Sequence, residues 1–269
     1  MRSCTLGAKA KTSTEETCKP AMSNTITLES PLEVSRMDLV QSANALIRDA
    51  LSKGSCPVVA FSGGKDSSVV LHLVRQIMPS IPAVWCNTLV EHPETVKFCR
   101  AQSDVVELKP KTTFWKCVEK YGWPMTKAKA RTHGNRCCLW LKEKPAEEWY
   151  KEHQIDLVFT GLTEGESRNR MMFLKRCGPL YFAKSYSQWR CHPIWNWTET
   201  DVWGYLRSNG LKYNPIYDRG AIRCGCMPCT AYKSWKKRLA REKPRLLTHV
   251  LKMQGQLQLR FDCTGELLV

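Results

Sequence analysis

One stretch restricts this chain more than any other. Val58-Val59-Ala60-Phe61 leads into Ser62-Gly63-Gly64-Lys65-Asp66-Ser67-Ser68, which leads into Val69-Val70-Leu71. An unbroken apolar run suits a strand buried on both faces, and Ser67 to Met78 places Val70, Leu71, Val74 and Ile77 on one side of a helix. Between them, Gly63 and Gly64 permit a tight turn and a close backbone approach to an anion, beside the unpaired amides of a helix start. Ser62, Ser67 and Ser68 add hydroxyls, Lys65 offsets phosphate charge, and Asp66 suits a Mg2+ ion bridging phosphate oxygens. The loop is therefore expected to bind a nucleotide. It is not a Walker A loop, which needs a second glycine followed by Gly-Lys-Ser/Thr.

Further strands are expected at Ala83 to Asn87, Val105 to Leu108 and Asp156 to Thr160. Helical patterns at Pro93 to Ala101 and Glu143 to His153 lie between them. Strand and helix in alternation imply an α/β fold with a doubly wound, mostly parallel sheet, whose ligands sit at the carboxyl ends of the strands. Ser35 to Leu51 reads as an amphipathic helix with Leu39, Ala43, Leu46 and Ile47 on its apolar side. Thr198 is expected to cap a helix with acids in its first turn. A single helical stretch is expected from about Ala240 to Met253. The expected organisation is a disordered segment over 1–30, a nucleotide-binding α/β domain over 31–210, and a cysteine-rich, basic extension over 211–269.

The 269 residues are 43% hydrophobic, enough to bury a full core. No run approaches the roughly 18 apolar residues of a membrane span, and residues 1–30 lack the apolar centre of a secretory signal, so a cytoplasmic, non-membrane protein is expected. A formal charge of +16 favours polyanionic partners, with tRNA or DNA among the candidates. Basic residues gather at Lys127, Lys129, Arg131 and Arg136, and again at Lys233, Lys236, Lys237, Arg238 and Arg241. Each group reads equally as a solvated face or as a binding patch.

Fourteen cysteines without an export signal argue for metal or redox use over a disulfide framework. Cys56, Cys86, Cys99, Cys117 and Cys177 read as packing residues. Adjacent Cys137 and Cys138, with Cys226-Met227-Pro228-Cys229, supply four thiolates that suit a [4Fe-4S] cluster or a tetrahedral zinc. Side chains of neighbouring cysteines diverge, which favours iron–sulfur over zinc. Cys224 could replace one of the four.

The string Ser62-Gly63-Gly64-Lys65-Asp66-Ser67 resembles the PP-loop of the adenine-nucleotide alpha-hydrolases, a Rossmann-like superfamily. Together with Cys137-Cys138 and the later Cys-x-x-Cys, it resembles the phosphoadenosine phosphosulfate (PAPS) reductase family, including its adenylyl-sulfate reductases. The likeness runs from about Ser35 to Tyr232, through Lys142, Gly161 to Arg170, His192-Pro193-Ile194, Trp197 and Asp201-Val202-Trp203. It implies Cys137, Cys138, Cys226 and Cys229 as cluster ligands, and Lys142 as a cation near cluster and nucleotide. The segment that opens at Gly161 would overhang the nucleotide, with Arg168 or Arg170 meeting phosphate or sulfate. Where the family usually has an arginine two residues after that glycine, this chain has Thr163. Arg223 is a further candidate for the anion site.

The family's reductases attack sulfur with a C-terminal cysteine in a Glu-Cys-Gly-Leu/Ile-His motif, and a thioredoxin-like donor resolves the product. Here the nearest match is Cys263 in Phe261-Asp262-Cys263-Thr264-Gly265. The reductases generally carry a degraded PP-loop, whereas this loop is intact, so the balance tips to ATP-dependent adenylation with sulfur transfer. The alternatives are reduction of an adenylyl sulfate to sulfite, or a nucleotide- or nucleic-acid-binding module with structural zinc. Catalytic roles then fall to Lys65, Asp66 and, in a reductase, Cys263.

Overall fold

In the computed structural model, residues 36–125 and 136–255 are described. The N-terminal segment 1–30, Lys127, Lys129, Arg131 and Cys263 lie outside those residues. Apolar runs make six short strands: β1 Pro57–Ala60, β2 Ala83–Cys86, β3 Val105–Leu108, β4 Leu157–Thr160, β5 Leu180–Ala183 and β6 Gln188–Cys191. They form one sheet in the order β3-β2-β1-β4-β6-β5. All pairs are parallel except β5 with β6. The doubly wound α/β sheet expected from the alternation is the fold observed.

Register sorts each strand's side chains onto two faces. Val59 sits opposite Phe159, and both pack with α1 (Arg36–Leu51), α2 (Lys65–Ile77), α3 (Pro93–Arg100) and α8 (Glu199–Ser208) through Ile47, Val70, Phe98 and Leu206. Val58, Val84 and Val158 point the other way, onto Tyr150 of α6 (Lys144–Glu152). Helices thus cover both faces, which is why the central strands are continuously apolar. Thr198 caps α8 as expected, in a reciprocal capping box with Asp201.

Three elements differ from expectation. The β5–β6 hairpin was not foreseen, because four-residue strands joined through Lys184 to Ser187 carry no glycine turn; the tight reversal is taken by Ser187 at φ 52°. The helix α4, Phe114–Tyr121, is set by Thr113, whose side chain accepts from the Lys116 amide. The C-terminal helix is two, α9 Trp235–Glu242 and α10 Pro244–Met253, because Pro244 lacks an N–H and opens a new helix. No described helix is long and apolar enough to cross a membrane.

Sheet order reverses between β1 and β4, and the chain leaving β4 passes close over the start of α2. A Cβ on Gly161 would lie 2.8 Å from the Asp66 carbonyl carbon and the Ser67 nitrogen. Only a residue without a side chain fits against that backbone. Gly161→Ala should destabilise the protein by about 1–3 kcal/mol, read as a lower denaturation midpoint, because the clash falls on the backbone at the start of α2.

Candidate functional site

The loop after β1 is held by hydrogen bonds within itself and from a distant segment. Gly63 turns the chain at φ 70°. The Ser67 hydroxyl donates to the Gly64 carbonyl (2.9 Å) and accepts from the Ser62 amide (3.2 Å), while Ser68 Oγ also donates to Gly64 O (3.0 Å). The Gly64 amide donates to Ser62 Oγ (3.3 Å), and the Lys65 amide donates to the Tyr217 hydroxyl at 3.0 Å. Asn214 Nδ2 donates to the Gly63 carbonyl (3.1 Å). The segment carrying Asn214 and Tyr217 therefore buttresses the loop from across the sheet edge.

Lys65 Nζ lies 3.0 and 3.2 Å from the two Asp66 oxygens and 3.8 Å from Glu199 Oε1. In this conformation the two loop residues expected to meet phosphate and Mg2+ are paired with each other. Arg170 is paired with Glu166. Burial and nearby Arg223 lower its pKa, and Asp66 opposes them. Arg168 is exposed at the start of α7, Arg168–Cys177. Thr163 is buried (5%) and supplies no cation.

At the carboxyl ends of β1, β2 and β4 lies a cavity of about 420 Å³, lined by Ser62, Cys86, Glu91, Lys142, Arg190 and His192 among others. That is where a doubly wound sheet presents ligands. The Arg190 guanidinium lies 5.8 Å from the Tyr150 ring centre and 5.2 Å from that of Tyr186. His192 is buried, and its Nδ1 is 2.6 Å from Thr160 Oγ1. Burial, with Arg190 and Arg170 nearby, drops its pKa to about 3, so it is neutral at physiological pH.

Lys142 joins this cavity to the thiols. It sits in a π-helical segment, Leu139–Glu143, directly after α5 (Arg136–Cys138). Such distortions often occur at functional sites. Burial works against the ammonium, yet Cys226, Glu91 and Cys138 hold its pKa above the usual lysine range. Its Nζ is 3.6 Å from the buried Glu91 carboxylate, which also accepts from Trp85 Nε1 at 3.2 Å. Burial raises the Glu91 pKa against the pull of Lys142.

Glu91 also bridges in antiparallel fashion to Cys226, and the Met227 amide donates to Val90 O at 2.8 Å. That contact lays the Cys-x-x-Cys turn over the loop after β2. Arg238 holds the turn from the other side by donating to Met227 O (2.8 Å) and Cys229 O (3.3 Å). The four thiols Cys137, Cys138, Cys226 and Cys229 are close enough to perturb one another's ionisation. The hydrogen bond between Cys137 and Cys138 raises the first thiol and brings the second down to about 7, with Lys142 helping. Thiolates are the donor type that iron–sulfur clusters use. Among the described residues, no three His, Cys, Asp or Glu side chains are grouped to hold a single metal ion.

Cys224 stands apart from that set. Its Sγ donates to Gly63 O (3.3 Å) and accepts from Asn214 Nδ2 (3.2 Å), which places it against the Ser62–Ser68 loop. Cys99, Cys117 and Cys177 are buried as packing residues should be, while Cys56 and Cys86 are half-buried. Sequence reasoning missed Glu91, Tyr217 and Asn214. Glu91 is an acid just beyond a strand's carboxyl end, a position that signals a site; nothing in the chain marks Tyr217 as a partner of the loop.

His192 makes the site acid-sensitive. Its folded-state pKa lies below its unfolded value, so only the unfolded chain takes up the proton between about pH 6.5 and 3. Stability should fall as pH drops through that window, and His192→Gln should lose less of its stability across it in denaturant titrations.

Sequence and fold comparisons place this arrangement. Residues 56–232 match the phosphoadenosine phosphosulfate reductase domain model. An uncharacterised protein of Methanocaldococcus jannaschii is 32% identical over 216 residues, 77% of this chain and 43% of the relative. A second from the same organism is 31% identical over 64% of this chain and 41% of its own length, so this chain spans less than half of either. The adenosine 5'-phosphosulfate reductase of Salinibacter ruber is 27% identical, covering 62% of this chain and 64% of that protein. In fold, the crystal structure of phosphoadenylyl-sulfate reductase from Candida auris aligns with a TM-score of 0.53 at 19% identity, over 73% of this chain and 98% of that one. The FMN adenylyltransferase of Candida glabrata aligns with a TM-score of 0.52 at 14% identity, over 71% and 61%. The family match takes in the loop, Lys142 and all four thiols, and the chain belongs to the phosphoadenosine phosphosulfate reductase domain family.

Proposed function

We propose that this chain is a PP-loop enzyme of sulfur metabolism that cleaves ATP to adenylate an acceptor, which then takes sulfur. The observation that carries the reading is Lys142, whose side chain lines the nucleotide cavity and is charge-coupled to Cys226 and Cys138. A cation so placed serves nucleotide and sulfur chemistry in one site. The intact Ser62–Ser68 loop, with Lys65 and Asp66 both present, favours cleavage of a pyrophosphate over simple binding.

In this reading the nucleotide's base and ribose occupy the cavity beneath Arg190 and His192. Its phosphates reach Ser62, Gly63 and Gly64, and Lys65 leaves Asp66 to meet the β and γ phosphates. Asp66 is then free to hold Mg2+. An acceptor oxygen attacks the α phosphorus and pyrophosphate leaves; AMP departs when sulfur replaces that oxygen on the acceptor. Arg170 and Arg168 are suited to the departing charge. Cys137, Cys138, Cys226 and Cys229 would hold a [4Fe-4S] cluster, which would supply sulfur binding or electron transfer. The basic surface is suited to a tRNA or DNA acceptor.

The relatives named as reductases favour a second reading. There the cavity takes an adenylyl sulfate, Cys263 attacks its sulfur with the nucleotide as leaving group, and a thioredoxin-like thiol donor releases sulfite.

Anaerobically purified protein should release pyrophosphate from ATP when acceptor is present, and Lys65→Ala should lower that rate about 10²–10³-fold. Sulfite release from adenylyl sulfate with a thiol donor, abolished by Cys263→Ser, would establish the reductase instead. Cys138→Ser should lower bound iron, measured against protein concentration, in either case.

A further inference from the structure

A second cavity of about 410 Å³ lies behind the Cys-x-x-Cys turn and shares no lining residue with the nucleotide cavity. Arg223, Lys237, Arg238 and Arg241 line it, against the single carboxylate of Glu242, which is already held by Arg241 at 2.8 Å. Two of the guanidiniums, Arg223 and Arg238, flank the same ring, with their central carbons 5.1 and 5.6 Å from the centre of Tyr232. Arg238 Nε is buried without a hydrogen-bond partner among the described residues.

The backbone adds to the same polarity. Ser234, which lines the cavity, is the residue before α9, and its side chain makes no capping bond there, so the first amides of that helix add positive potential. His92 lines the cavity too. Burial and the charge of Arg238 lower its pKa, and Glu242 and Glu94 only partly oppose that, which favours its neutral form. Convergent cations with one spoken-for carboxylate repel one another, and an anion relieves that repulsion. Lys237 and Arg241 are exposed at the mouth, where a ligand can reach them, and Ile222 beside them is 81% exposed and offers an apolar contact.

We propose that this cavity is a second anion site, which takes the phosphate of a small phosphate ester with its organic part against Ile222 and Tyr232. Planar guanidiniums and an ammonium at a helix start are the donor set that a tetrahedral oxyanion uses. Cys226 also lines the cavity, so an occupant would touch the turn that carries two of the four site thiols. The site does not depend on which reaction the nucleotide cavity supports.

Calorimetric titration of the full chain with inorganic phosphate and with AMP tests it. The Lys65→Ala background removes the cation of the Ser62–Ser68 loop and so weakens it as a competing anion site. Binding should persist in that background, weaken as sodium chloride rises, and fall about tenfold or more when Lys237→Ala and Arg241→Ala are added. Those two side chains are exposed, so thermal melts should be unchanged, and the pair Lys237→Arg with Arg241→Lys should recover most of the affinity. Equal phosphate affinity with and without the two alanines would overturn the proposal, as would loss of all binding in Lys65→Ala alone. A short single-stranded RNA that binds this face while phosphate and AMP do not would replace a small-molecule site with a nucleic-acid surface.

Discussion

The contact between buried Glu91 and half-buried Lys142 is the one on which the site's arrangement rests. A carboxylate with 6% exposure stays charged only with a partner, and Lys142 at 3.6 Å supplies it together with the Trp85 N–H. Removing Lys142 would leave the Glu91 carboxylate buried without its ionic partner, which is destabilising. The pair also ties chain segments that are far apart in sequence. Glu91 belongs to the loop after β2 and pairs with Cys226 through the backbone; Lys142 belongs to the π-helical segment after Cys137 and Cys138. The ion pair therefore links the two segments that carry the cysteine pairs.

The Ser62–Ser68 loop is braced from the opposite side by hydrogen bonds. Asn214, Tyr217 and Cys224 precede the Cys-x-x-Cys turn, and each hydrogen-bonds the loop or its first helical amide. The segment that presents Cys226 and Cys229 is thus also the segment that braces Gly63 and Lys65. The two halves of the proposed chemistry share one support.

Much of the fold was legible because its signals are local. Continuous apolar runs at Val58, Ala83 and Asp156 marked strands covered on both faces, and Thr198 with Asp201 marked a helix start. The β5–β6 hairpin escaped because its strands are only four residues long and its turn uses Ser187 where a glycine would have signalled it. The break at Pro244 was available in the chain but was outweighed by the helical pattern on both sides. Of the site, Lys142 and Gly161 were expected through their setting among motif residues. Tyr217 was not, since its role depends on a hydroxyl meeting an amide 152 residues away along the chain.

By itself, the sequence determined the strand-turn-helix at Ser62–Ser68, the alternation that requires a parallel sheet, and the presence of four thiols in two pairs. These follow from backbone sterics, burial periodicity and side-chain chemistry, all of which act between near neighbours. Only the tertiary structure decided that Glu91 pairs with Lys142, that Lys65 rests on Asp66, and that Cys224 serves the loop. It alone also gathered four cations around a second cavity. Those outcomes depend on which loops the sheet order brings to one edge, and that order comes from packing summed over the whole domain.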